Sequence, residues 1–271
     1  MSVKNNKTVR SPDAKKENLW LALAIGNSRL HWALFDGGKL QSSWDTEYIQ
    51  EISNLRFPIA NSIDLQFPLA CQPASPTALP LYLASVVPSQ TVLWQNYPNL
   101  RVITLADLPL GGVYPSLGID RALAVVGAGE TFGWPILVID AGTALTFTGA
   151  DASRKLVGGA ILPGLRLQVN SLAKGTGALP SIELPATLPP RWALDTSSAI
   201  QSGILYTVLA GIVNFIEAWR QEFPESSVVL TGGDRDLLLN YLQIIYPKIG
   251  DKIAIDPNLI FWGMRSIYFR F

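Results

Sequence analysis

Four short stretches combine residue types suited to handling a phosphorylated ligand. Gly26-Asn27-Ser28 follows an apolar run. A glycine there brings backbone N–H groups close to an anion, and Asn and Ser add donors, although the same residues also suit an ordinary hairpin turn. Asp140-Ala141-Gly142-Thr143 closes a second apolar run. Its carboxylate can hold a cation while Gly and Thr face phosphate, or it can make an Asx turn. Gly118-Ile119-Asp120-Arg121 opens a helical stretch. Asp120 is either a helix cap or a proton acceptor set beside a guanidinium that binds an anion. Leu230-Thr231-Gly232-Gly233-Asp234 pairs two glycines between a strand and a helix, where a flat ring or a phosphate can approach the backbone, or where the chain simply turns.

Other chemistries are poorly supplied. There is no G-x-x-x-x-G-K-[ST] phosphate loop. The single histidine, His31, sits in a strand-like run and reads as structural; one histidine leaves no His-pair metal site and argues against a Ser-His-Asp triad. The single cysteine, Cys71, allows no intrachain disulfide and reads as an unreactive thiol. Gly127, Gly129 and Gly133 imitate a dinucleotide fingerprint. The residues before them read as helix, however, and those after as strand, which is the reverse of what that motif needs. Net charge is zero and the pI about 6.6, without the basic face expected of a nucleic-acid binder. No apolar run approaches the roughly 18 residues of a spanning helix. The first 18 residues carry five Lys/Arg and two acidic residues, lack the apolar core of a signal peptide, and read as a disordered tail. A cytoplasmic location without membrane attachment is the expectation.

The elements that must position these groups show a weak repeat. Residues 19–25, 30–35 and 40–44 read as three strands, with Gly26 in the first turn and Asp36-Gly37-Gly38 in the second. Residues 136–139, 145–148 and 156–159 repeat the pattern, with Gly142 matching Gly26. Residues 196–223 carry apolar positions at helical spacing over five turns, with Thr196, Ser197 and Ser198 as N-cap candidates and Gly203 and Gly211 as sites of close packing. A strand at 228–230 and a last helix at 237–246 follow. Proline-rich stretches at 57–80 and 180–190 read as long connections, and a domain boundary is expected near 129–135. A charged fraction of only 15% with 8 tryptophans suggests a buried oligomer interface.

Together, two phosphate-turn hairpins in duplicated halves, an Asp on a linking helix and a late Gly-Gly turn resemble the plan of the actin/hexokinase-like fold. That is an α/β architecture of two similar ribonuclease H-like domains, residues 19–130 and 131–271, with a nucleotide cleft between them. Within it the chain resembles the type III pantothenate kinases from about Trp20 to Phe269. The resemblance rests on Ile25-Gly26-Asn27-Ser28, Gly118-Ile119-Asp120-Arg121, Asp140-Ala141-Gly142-Thr143, Gly158-Gly159 with Pro163-Gly164, and the stretch from Thr196 to Gly203. It implies ATP- and Mg²⁺-dependent phosphorylation of pantothenate, the first step toward coenzyme A. Asp120 would be the general base; Tyr114, Gly118, Ile119, Arg121 and Thr196 would meet pantothenate, Thr196 from a partner subunit. Gly26, Asn27, Ser28 and Thr143 would bind ATP, and Asp140 a monovalent cation, K⁺ or NH₄⁺. A homodimer is implied. One departure stands out: the family's first motif reads D-x-G-N-[ST], and Ala24 occupies the Asp place. That motivates two alternatives, a non-catalytic nucleotide-binding regulator and a kinase for another small hydroxylated substrate.

Overall fold

The computed structural model describes residues 18–50 and 79–270. The expected tail up to residue 17, Cys71 and most of the first proline-rich stretch lie outside the described residues. By compactness, the described residues up to Ile25 and from Arg29 to Val102 form one unit. Gly26–Ser28 and the residues from Ile103 onward form the other.

The first unit is built on a five-stranded sheet: β1 (Leu19–Ile25), β2 (Leu30–Asp36), β3 (Lys39–Thr46), β4 (Leu81–Ser85) and β5 (Leu100–Val102), in the order β3-β2-β1-β4-β5. β1 is apolar throughout because both of its faces are covered, and β2 is apolar except at His31 and Asp36. Leu21, Leu23 and Ile25 point to one face with Leu30, Trp32 and Leu34, and there form a core with Leu81, Leu83 and Trp94. β3, at the edge, alternates exposed with half-buried residues. A short helix, α1 (Pro88–Thr91), follows β4.

The second unit repeats the plan. It contains β6 (Ile136–Ala141), β7 (Ala144–Ala150), β8 (Leu156–Pro163), β9 (Ser227–Thr231) and β10 (Ala254–Ile255), in the order β10-β9-β6-β7-β8. In each sheet the first three strands form an antiparallel meander, and the first strand pairs on its other side with a parallel strand that in turn pairs with a second parallel strand. The duplication expected from two glycine turns is therefore present in order and in strand direction. The sequence reading had missed β4, β5 and β10, which are short and lack clean alternation.

Five helices belong to the second unit in full: α2 (Ile119–Phe132), α3 (Leu165–Gly175), α4 (Thr196–Glu222), α5 (Arg235–Ile245) and α7 (Leu259–Tyr268); a one-turn α6 (Pro247–Gly250) lies between the last two. α7 shows that 237–246 is not the final helix. α2 packs on α7 with backbones close together: a Cβ on Gly127 would overlap the Leu259 carbonyl oxygen, and one on Gly263 would overlap that of Leu123. The glycines that imitate a dinucleotide fingerprint are thus packing residues, Gly129 lying under the Trp134 ring. This packing also places α2 with the second unit, so the compact units part between Val102 and Ile103.

α4 is long and apolar enough in composition to cross a membrane. Its stripe from Ile200 to Trp219 is instead buried in the core beneath β6, β7 and β9. Its N-cap is Asp195, not one of the Ser/Thr residues that follow; the carboxylate accepts the Ser198 N–H at 2.9 Å, and that bond holds the Asp195 carboxyl below its ordinary range. Gly203 and Gly211 do not face close neighbours within the chain: a Cβ on either would meet nothing within 4 Å.

Candidate active site

The start of α2 gathers five of the expected residues. Gly118 is the N-cap and Ile119 the first helical residue, its side chain buried, so its free backbone N–H is the part left to meet a ligand. The Asp120 carboxylate folds back: Oδ1 accepts the Arg121 N–H at 2.8 Å and lies against the Gly118 Cα, where a Cβ would overlap it. Glycine at 118 is required for this carboxylate position.

Arg121 is buried at 9% exposure. It donates from Nε to Thr148 Oγ1 at 3.0 Å, from one terminal nitrogen to the Phe147 carbonyl at 3.1 Å, and from the other to the Tyr114 hydroxyl at 3.3 Å. A guanidinium has five N–H donors in a rigid fork, so two remain after these three bonds. A Cβ at Gly159 would strike both the Phe147 carbonyl and an Arg121 nitrogen, which gives a reason for the Gly158-Gly159 pair in β8. Tyr114 joins Arg121 in space. Thr148 and the Phe147 carbonyl were missed from sequence; the alternation of β7 marks Thr148 as an inward polar residue and was the available signal.

A second cluster forms at the C-terminal end of β6. The Gly232 Cα, at φ +90°, sits so close to Ala141 and to Asp140 Oδ1 that a Cβ would lie 2.5 Å from each. The Asp234 N–H donates to the Ala141 carbonyl at 2.9 Å. Pro163-Gly164 closes the other side, where the Gly164 N–H donates to the Thr143 carbonyl at 2.9 Å and a Cβ would overlap the Gly142 carbonyl. Ser28 Oγ and Thr143 Oγ1 are 2.7 Å apart, so the turn at 26–28 meets the turn at 142–143. Gly232 and Gly164 thus bring backbone into close contact with the 140–143 turn, and the Ser28 side chain meets it from the 26–28 turn. Asp234, nearly buried, is met at 3.2 Å by Arg166, a cation exposed at the first turn of α3 that sequence reading did not single out.

Thr196 is exposed at the first turn of α4 and makes no hydrogen bond with the Arg121 cluster among the described residues. Among those residues there is also no group of three or more His, Cys, Asp or Glu side chains able to hold a metal ion. Asp140 with the Ala141 carbonyl beside it offers oxygen donors of the type hard cations accept.

The repeated sheet order and the glycine-lined turns define the actin/hexokinase-like class of ATP-using enzymes. Among solved structures, the chain is similar to a Baf family transcriptional activator from Campylobacter jejuni, with a TM-score of 0.59 at 21% identity over 92% of this chain and 98% of that one. It is also similar to the ethanolamine utilization protein EutJ from Carboxydothermus hydrogenoformans, with a TM-score of 0.51 at 9% identity over 92% and 90% of the two chains. At these identities the likeness concerns the fold alone. The family model of the type III pantothenate kinases matches residues 20–218. Type III pantothenate kinases from Nostoc sp. and Synechocystis sp. are 56% and 46% identical to the chain. Those alignments cover 93% and 94% of this chain and 95% and 93% of theirs. The chain belongs to the type III pantothenate kinase family.

Proposed function

We propose that the chain transfers the γ-phosphoryl group of MgATP to the primary hydroxyl of pantothenate, the first step toward coenzyme A, with Asp120 as the proton acceptor. The observation that carries the assignment of roles is the pairing of Asp120 with buried Arg121 at one helix start. Two unused guanidinium donors, the Tyr114 hydroxyl and the free N–H groups of the first helical turn suit a carboxylate. Pantothenate has such a group at the end opposite its reactive hydroxyl. Gly118, Ile119, Arg121 and Tyr114 therefore hold the acceptor, and Asp120 takes its proton. Phosphoryl transfer of this kind relies chiefly on positioning and charge stabilisation.

Gly26, Asn27, Ser28 and Thr143 hold the ATP phosphates, a reading supported by the 2.7 Å approach of Ser28 to Thr143. Asp140 holds a monovalent cation, K⁺ or NH₄⁺, with carbonyl oxygens completing its shell. Thr196 completes the pantothenate site from a partner subunit in a homodimer. Its exposure, and that of Trp192 (88%) and Leu194 beside it, supports this, because exposed apolar groups clustered at one place mark an interaction surface. The enzyme acts in the cytoplasm. The boundary of the duplication lies at 130/131, just before the strand pattern restarts.

The test is ADP release from MgATP with and without pantothenate, in K⁺ and in its absence. Release that needs pantothenate and falls sharply without K⁺ is the expected result. Release that is indifferent to pantothenate but follows another hydroxylated acceptor would replace the substrate. ATP binding without any release would favour the regulatory reading that Ala24 motivates.

A further inference from the structure

Arg121 is a buried cation without a counter-ion. Its guanidinium donates to the Thr148 hydroxyl, the Phe147 carbonyl and the Tyr114 hydroxyl, and none of these acceptors is a carboxylate. Among the described residues it forms no ion pair. The neighbouring Asp120 carboxylate accepts the Arg121 backbone N–H instead. A charge taken out of water is almost always paired, so this guanidinium is kept for an anion that arrives with a ligand. Whether it can receive that anion depends on how its remaining donors are aimed.

Two of the three anchors belong to adjacent residues of β7. They take Nε, at 3.0 Å, and one terminal nitrogen, at 3.1 Å. Thr148 sits between Val138 on β6 and Gly159 on β8, so ladder hydrogen bonds on both sides hold its backbone. Its side chain is buried and, being β-branched, stiff about χ1. The missing side chain at Gly159 leaves room for the guanidinium beside it. Because the guanidinium is planar and rigid, bonds at Nε and at one terminal nitrogen fix the orientation of the whole fork. The two N–H donors that remain then have set directions. The third anchor, Tyr114, is exposed and its bond is the longest of the three, at 3.3 Å. Thr148 is therefore the buried side chain on which the aim of the fork depends.

We infer that Thr148 is a positioning residue for the phosphoryl acceptor: by accepting Nε–H of Arg121 it fixes the guanidinium plane and aims the two unspent donors at the carboxylate of pantothenate. It acts through Arg121 and takes no part in proton transfer or ATP binding. This rests on reading Arg121 as the group that holds that carboxylate. A side chain with a packing role alone would serve as well as valine, which has the same shape without the hydroxyl.

In calorimetric titration of the intact protein with pantothenate alone, Thr148→Val should weaken binding about 10-fold, the scale of one hydrogen bond to a charged group. Thr148→Ser keeps an acceptor oxygen at the same place and should bind within about threefold of wild type. In steady state, Thr148→Val should raise the KM for pantothenate while kcat and the KM for ATP stay within about threefold. In the Arg121→Lys background, Thr148→Val should add less than about a twofold further loss, because its effect passes through the guanidinium. If Thr148→Val fails to fold, Thr148→Ala carries the same measurements. Wild-type pantothenate affinity in the folded valine or alanine variant overturns the inference. So does a serine variant as weak as the valine one, a loss shared equally by ATP, or a loss that simply adds to that of Arg121→Lys. Wild-type pantothenate affinity in Arg121→Lys itself would instead remove the carboxylate reading, and the inference with it.

Discussion

Asp120→Asn separates proton acceptance from every other contribution of this side chain. Asp120 Oδ1 accepts the Arg121 N–H at 2.8 Å and rests on the Gly118 Cα. An asparagine has the same shape and keeps an Oδ1 that can accept that bond, so the first turn of α2 and the Arg121 fork should stay as they are. What the variant loses is the ability to accept a proton from the attacking hydroxyl. A positioned general base contributes about 10²–10⁴-fold, or roughly 3–5 kcal/mol of barrier. Turnover should therefore fall at least about 100-fold, with the KM for ATP within about twofold of wild type and an unchanged melting temperature. Steady-state ADP release coupled to thermal denaturation reads all three. Normal turnover in a folded Asp120→Asn protein would refute the base assignment. A large loss of turnover accompanied by an equally weakened ATP would show that the residue binds rather than activates.

Four further outcomes follow from particular residues and their surroundings. Arg121→Lys should raise the KM for pantothenate more than it lowers kcat and should destabilise the protein by about 1–3 kcal/mol. An ammonium cannot reproduce the fork to Thr148, Phe147 and Tyr114, and buried partners are left unpaired; an unchanged KM would remove Arg121 from the substrate site. Gly127→Ala should lower stability by about 1–3 kcal/mol because its Cβ overlaps the Leu259 carbonyl and the α2–α7 pair must separate, whereas Gly203→Ala should raise it by about 0.5–1 kcal/mol if that face of α4 is solvated; a Gly203→Ala protein that dissociates in sedimentation would place the face in a dimer interface instead. For Asp45, the folded-state carboxyl lies below its ordinary value of 3.8. The contribution is present above that value and is lost as pH falls through the lower folded-state value, so Asp45→Asn should flatten acid unfolding below about pH 4. Because Asp45 is 46% exposed, the size should be small and salt-sensitive.

The parts of the fold legible in sequence were those whose pattern is local. β1 with β2, and β6 with β7, announced themselves because both strands of each pair are apolar and a glycine turn joins them. α4 was legible from a buried stripe sustained from Ile200 to Trp219. What escaped depends on partners far away in the chain. α7 is apolar nearly all round and ten residues long, so periodicity does not separate it from a buried strand; its identity is set by Gly127 and Gly263 admitting two helix backbones to close contact. Gly203 and Gly211 misled for the opposite reason: a helical glycine invites a packing explanation, yet only coordinates show whether anything stands opposite. At the site, Asp120 and Arg121 were readable as neighbours, but the burial of Arg121 and its bonds to Thr148 and Phe147 depend on strand β7 passing beneath α2.

The equivalence of Ala24 and Asp140 bears on how a duplicated fold divides its labour. Both residues are penultimate in the first strand of a three-strand meander, and both are followed two residues later by a glycine. Their surroundings differ. Asp140 lies against the glycine of the Gly232-Gly233 turn, so backbone stands close beside its carboxylate. Ala24 pairs on its parallel side with Ala84 and on its antiparallel side with His31. A carboxylate restored at 24 would sit beside a ring already fixed by Asp45, and would compete with Asp45 for the imidazole. Ala24→Asp alone should therefore change thermal stability by a different amount from Ala24→Asp with His31→Ala. The two replacements are coupled, and the double-mutant cycle should show a departure from additivity of about 0.5 kcal/mol or more, because directly paired residues share a partner. Strict additivity would mean that the row Ala24–His31–Asp45 is adjacent in space without acting as a unit.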